Sequence, residues 1–312
     1  MLFRSDAFEF LRNGAVNGHP YFSTRADNLK RNQYGGTVGG PIQKNKLFAF
    51  GGYQGTKTRL FNPDNTTQLP TAKMLAGDFT GCAGTGLRAA TGVVDGNHLD
   101  TTKFSPAAVK LLGKLNQVGP GPCGVTTFGI ATAINEWQLI GRMDYQISDK
   151  QTLFGRYMAT TFAQTPPYAL DQNLLNTIQG GRDNLAQAFT LGDTYLISPT
   201  TVNSLRLTVN RTGIQRTNSD FFSAPDLGIP IYSYMPHYMI MSITGGFNLG
   251  GGTENAANFR TQTYQLGDDV SLVRGSHQIA FGFTTNQWRS AGYANVRSPG
   301  TFTFQGSLDR KS

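Results

Sequence analysis

The sequence predicts an all-β chain: a transmembrane antiparallel β-barrel, here about ten strands of a larger barrel, with long extracellular loops. Three observations predict it. Apolar and polar residues alternate with period two along runs of about 11 to 14 residues, well beyond the usual strand length of about 5–6. Turns of three or four residues alternate strictly with connections of roughly 20 to 75 residues, and such long connections are uncommon inside compact soluble domains. Charged residues are only 15% of the 312-residue chain, against about 25% in a soluble domain.

Residues 3 to 13 read as a first strand. The stretch "RNQYGGTVGGPIQKNKLFAFGGYQG" supplies the next two, 31 to 42 and 47 to 58, joined by "QKNK". Its glycines would suit a flexible linker, but Tyr34, Val38, Ile42, Phe48, Phe50 and Tyr53 alternate between them as a strand requires. Glycine there lets a coiled wall bend and lets another backbone approach closely. A long insert, 60 to 134, follows. Residues 136 to 147 then place Trp137, Leu139, Met143, Tyr145 and Ile147 on one face and Glu136, Gln138, Arg142, Asp144 and Gln146 on the other.

After "SDK" the chain returns along 151 to 162. A connection at 163 to 183 leads into 184 to 197, "SPTT" and 202 to 216. The second long loop, 217 to 259, leads into 261 to 273, "RGSH" and 277 to 289, and a last strand is expected at 300 to 306. Short turns at one rim and long loops at the other describe an outer-membrane barrel with periplasmic turns. The strands exceed the 9–11 residues or so that a tilted crossing needs. Only a closed barrel pairs every backbone group in lipid. Trp137, Tyr145, Phe162, Tyr195, Trp288 and Tyr293, near strand ends, are expected in the interfacial aromatic girdles. Asp268 breaks the pattern by sharing a face with Leu266, Val270 and Leu272, which calls for a bulge or a place near the rim.

The net charge of +8 is spread along the chain, and no zinc-finger, helix-turn-helix or RNP pattern accompanies it, so nucleic acid is not expected as a partner. No run of 18 apolar residues is present, and the start, "MLFRSDAFEFLRNG", lacks the layout of a signal peptide. Cys82 and Cys123 sit between glycines and prolines in the long insert. They suit a disulfide in an oxidising compartment, or else two unrelated thiols.

Six segments in order resemble a known family: "FEFLRNGAVNG", "RNQYGGTVGGPIQKNKLFAFGGYQG", "LPTAKMLAGDFTG", "GRMDYQISDKQTLFGRY", "LGDTYLISPTTVNSLRL" and "LVRGSHQIAFGF". Together they are similar to the N-terminal part of the barrel of Oar-like TonB-dependent outer-membrane receptors. The resemblance implies a Gram-negative outer membrane and a barrel of about 22 strands. It also implies a signal peptide, often a carboxypeptidase-regulatory-like domain, and a plug through which the inner-membrane TonB complex drives uptake. By that comparison residues 1–312 are a partial barrel without signal peptide, plug or TonB box, and the first and last strands are expected as unpaired edges.

No catalytic, metal-binding or cofactor-binding set is expected. His19, His98, His237 and His277 are isolated; HExxH, CxxC and GxSxG patterns are lacking; and "GGFNLGGG" has no Lys-Ser/Thr to complete a phosphate loop. Asp268 and Asp269, as strand neighbours, face opposite ways. An unknown small ligand is expected at the loops. In "IPIYSYMPHYMIM" the rings of Tyr232, Tyr234, His237 and Tyr238 could stack on a sugar or peptide, or glue the loop to itself. The functions left open are nutrient transport, a passive outer-membrane structural or adhesion role, and a soluble carbohydrate-binding sandwich.

Overall fold

The computed structural model describes residues 3–18, 28–82, 94–115, 117–121, 123–252 and 255–305. His19 lies outside them. In chain order the strands begin with β1 (Arg4–Asn13), β2 (Lys30–Gln43) and β3 (Leu47–Gln68). A short pair, β4 (Val94–Asp95) and β5 (His98–Leu99), lies in the first long connection. Then come β6 (Val125–Ser148), β7 (Gln151–Gln164), β8 (Gly181–Ser198) and β9 (Thr201–Thr217). The second long connection contains β10 (Met241–Ile243) and β11 (Asn248–Leu249). The chain continues through β12 (Ala257–Arg274), β13 (His277–Ala294) and β14 (Phe302–Phe304).

Nine of these strands form one antiparallel sheet in the order β1-β2-β3-β6-β7-β8-β9-β12-β13. Each strand pairs with the next one along the chain apart from those in the connections, so the wall runs up and down. The sheet is open, with β1 and β13 at its edges.

The turns are shorter than expected, two residues between β6 and β7, β8 and β9, and β12 and β13. Serine organises two of them. Ser148 Oγ accepts the Lys150 N–H at 3.3 Å, and Ser198 Oγ accepts the Thr200 N–H at 3.2 Å. A hydroxyl bonded two residues ahead mimics a backbone turn. In "QKNK" Asn45 adopts φ 58°, a left-handed conformation that asparagine tolerates.

β3 and β6 run on past the expected ends, to 22 and 24 residues, so the insert spans 69 to 124 rather than 60 to 134. Pro63 hid this extension. The ladder shifts register between Asn62 and Asn65, which leaves the proline outside the pairing. The second long connection likewise shrinks to 218 to 256.

The described part of the strand expected at 300 to 306 does not join the wall, which holds nine strands among the described residues. Residue 306 lies outside the described residues; of 300 to 305 only Phe302–Phe304 is a strand, and it pairs in parallel with β10. Gly300, at φ 80°, turns the chain away from β13, and Phe302 packs on the apolar core of the connections. Asp268 needs no bulge. The register runs unbroken past it, opposite Leu205 and Phe283, and the Asn203 amide donates to its carboxylate at 2.6 Å.

Burial is inverted relative to a water-soluble sheet protein. Among the described residues, the two buried apolar clusters draw all their members from the connections, including Leu69, Leu111, Leu175, Phe222, Met239 and Leu249. On the sheet, Met143, Leu191 and Leu207 stand in one cross-strand row and are all exposed. Tyr157, Phe189 and Tyr264, in the next row, are exposed as well. An uncovered oily belt of this extent is stable against lipid, not water.

Candidate lumen-facing site

The opposite face of the same strands is polar. Side chains from β6, β7, β8, β9, β12 and β13 line one cleft of about 780 Å³, which makes this face the concave one. Its central row runs Arg142, Arg156, Thr190, Thr208, Gln265, each directly opposite the next. The row below runs Asp144, Phe154, Gly192, Arg206, Gly267, Thr284.

Arg142 is fixed on two sides. Its Nε and Nη2 donate to Asp144 Oδ2 and Oδ1 at 2.8 and 2.7 Å, and its Cζ lies 4.3 Å from the Phe154 ring centre. A two-pronged ion pair on an aromatic face is the geometry that suits a planar guanidinium. The Phe154 ring also lies across Gly192, where a side chain would collide with it. Arg156, facing Arg142 across the ladder, and Arg206 have no carboxylate within ion-pair distance among the described residues. Thr208 Oγ1 lies 3.4 Å from Thr190 Oγ1, and Asp269 also lines the cleft.

The connections form a cap at the long-loop rim. Besides the short strands it contains α1 (Ala72–Leu75), α2 (Pro106–Lys114) and α3 (Pro167–Asp171). Leu69 and Leu111 from the first long connection, Leu174 and Leu175 from the middle one, and Phe222 and Met239 from the second long one share one core. Cys82 and Cys123 are disulfide-bonded, with Cα atoms 5.0 Å apart. Beside them lies an apolar hollow of about 450 Å³, bounded by Leu69, Met74, Phe79 and Phe247.

The four loop aromatics do not converge. Tyr238 is 1% exposed; its hydroxyl donates to the Gly251 carbonyl at 3.0 Å and accepts the Gly251 N–H at 2.7 Å. Its ring meets Phe221 edge-on at 5.4 Å. It holds the loop to itself. Tyr232 and Tyr234 are exposed at 85% and 57%. His237, with φ 53°, is exposed and its Nδ1 stands 4.0 Å from Asp220. His98 stands 3.7 Å from Asp78. No metal-binding group of three His, Cys, Asp or Glu occurs among the described residues.

Two girdle aromatics are misplaced by the sequence reading. Trp288 is in register with Thr263 and Asn210, and Phe162 with Glu136. Both therefore share the concave face with Ala188, Thr190 and Arg142. Trp137, Tyr145, Tyr195 and Tyr293 remain on the oily side. Strand-end position does not decide the face; parity does.

The arginines of the cleft escaped notice in the sequence. Arg142 lies six residues before the end of β6 and Arg156 five after the start of β7; the register shift between Gln146 and Ser148 is what brings them face to face.

An oily outer belt, a polar concave face, tight turns at one rim and long loops at the other define a membrane barrel protein of the outer-membrane class. The family model for the outer membrane beta barrel domain matches residues 3–312, and the chain belongs to that family. The family sets the protein in the outer membrane of Gram-negative bacteria, with the tight turns periplasmic and the cap extracellular. No curated protein and no solved structure matches the chain.

Proposed function

We propose that this chain is part of the wall of an outer-membrane receptor that takes up a scarce nutrient, of carbohydrate, peptide or chelate type, by energised transport. The six ordered segments similar to Oar-like TonB-dependent receptors support this reading. In such a receptor the outer belt contacts membrane lipid, and the inner-membrane TonB complex acts through a plug that is not among the strands of this sheet. The observation that carries the proposal is the cap. Three connections share one apolar core above a polar concave wall, an arrangement suited to holding a solute rather than leaving a passive opening. The test is uptake by intact cells of a strain producing the full-length gene product. Energised transport requires accumulation that stops when TonB is deleted; equal uptake with and without TonB contradicts it.

A second reading is a passive structural or adhesion protein. The outward exposure of Tyr232 and Tyr234 favours it, since exposed aromatics are common anchors at protein surfaces. Loss of surface attachment on deleting the gene, with growth on all nutrients unchanged, would select it.

A further inference from the structure

The cleft carries three guanidiniums, Arg142, Arg156 and Arg206, against two carboxylates, Asp269 on its lining and Asp144 paired to Arg142, and none of the ion pairs among the described residues joins Asp269 to an arginine. Arg142 and Arg156 are directly opposed on adjacent strands, and like charges in that position repel. Asp144 is already committed to Arg142 in both of its oxygens. Arg206 adds a third guanidinium two strands away from Arg156. Between Arg156 and Arg206 runs β8, whose residues at their level on this face are Ala188, Thr190 and Gly192. Strands lie about 4.8 Å apart, so the two arginines flank a small-residue floor roughly 10 Å across. That span lets two long side chains close on one group.

We propose that Arg156 and Arg206 clamp an oxyanion group, carboxylate or phosphate, on the solute that enters this cleft. Each guanidinium offers a planar fork of donors that matches two oxygens of such a group. The Thr190 and Thr208 hydroxyls line the space between. Phe154, laid across Gly192, walls the site towards the periplasmic turns and leaves Arg142 stacked and occupied. The proposal rests on the receptor reading for its solute, and it narrows that solute to one bearing a negative group.

The test is direct titration of the full-length gene product in non-ionic detergent with citrate, and separately with inorganic phosphate. At least one anion should bind, more weakly as salt rises. Arg156→Gln or Arg206→Gln should each weaken binding at least about tenfold, with Lys at either position recovering only part. Tyr232→Ala should bind as the parent does. Heat-dependent electrophoretic mobility confirms that each variant is folded. If folded parent binds neither anion at millimolar concentration, or if both glutamine variants bind as tightly as the parent, the proposal is wrong. TonB-dependent uptake without anion binding sinks the clamp and spares the transport reading. Anion binding with TonB-independent uptake supports the clamp and sinks the transport reading.

Discussion

Arg142 grips Asp144 through two hydrogen bonds while its guanidinium rests 4.3 Å from the centre of the Phe154 ring. These three residues come from two strands joined by a two-residue turn, and they fix the polarity of the concave wall at its middle. The neutralisation is local. It serves Arg142 and leaves the facing Arg156 without a carboxylate among the described residues.

Removing the acid should therefore expose a repulsion. Asp144→Asn is expected to lower stability by about 0.5–1 kcal/mol, a modest loss because both partners are partly solvated. In an Arg156→Gln background the loss should shrink, since the opposing charge is gone. Heat-dependent mobility of the four variants in detergent reads the coupling; additive effects would show that the two arginines do not sense each other.

The glycines of β3 have a packing role. A Cβ on Gly55 would stand 2.7 Å from Tyr34 Cζ, because the tyrosine ring of the adjoining strand lies across the bare backbone. Gly55→Ala should cost about 1–3 kcal/mol through overpacking, and the loss should be smaller once Tyr34 is also alanine. Equal losses in both backgrounds would contradict the ring placement.

Tyr238 and Tyr232, six residues apart, should behave oppositely. Tyr238→Phe strands the Gly251 N–H in a buried setting and should destabilise the cap by about 1–3 kcal/mol. Tyr232→Ala should change it by less than about 0.5 kcal/mol. Limited proteolysis of the 218–256 connection measures both, and equal cleavage rates would refute the assignment of Tyr238 to the cap core.

Acid should loosen the cap. Hydrogen bonds from the Ser223 N–H and hydroxyl, at 2.8 and 2.7 Å, hold the Asp226 carboxyl below its usual range. Thr80 does the same for Asp78. A carboxyl depressed in the folded state adds stability above its unfolded value, about 4, and loses it as pH falls through the folded value. Proteolytic protection of the cap should thus be flat from pH 7 to about 5 and fall below about 4. Asp226→Asn should remove part of that fall.

Much of the wall was legible in the sequence, because a two-residue period in "EWQLIGRMDYQI" needs no tertiary knowledge to separate oily from polar faces. Parity also places Trp288 opposite to Phe281 and Phe283, and counting from the strand end obscured it. The cap was not legible. Leu69, Leu111, Leu175 and Met239 carry no period, and they meet only because long connections fold onto one another above the rim. The arginine cleft lay between these cases: its residues were visible, but their opposition depends on the register shift between Gln146 and Ser148, which the sequence pattern does not announce.

Leu207 and Thr208 are chain neighbours on β9, one in the oily row and one in the cleft. Spin labels at Leu207→Cys and Thr208→Cys, introduced singly into protein reconstituted in bilayers, report the solvent that each side faces. The account predicts high oxygen and low nickel-chelate accessibility at 207, with the reverse at 208. Matching accessibilities, or oxygen preferring 208, would contradict a wall whose apolar face meets lipid.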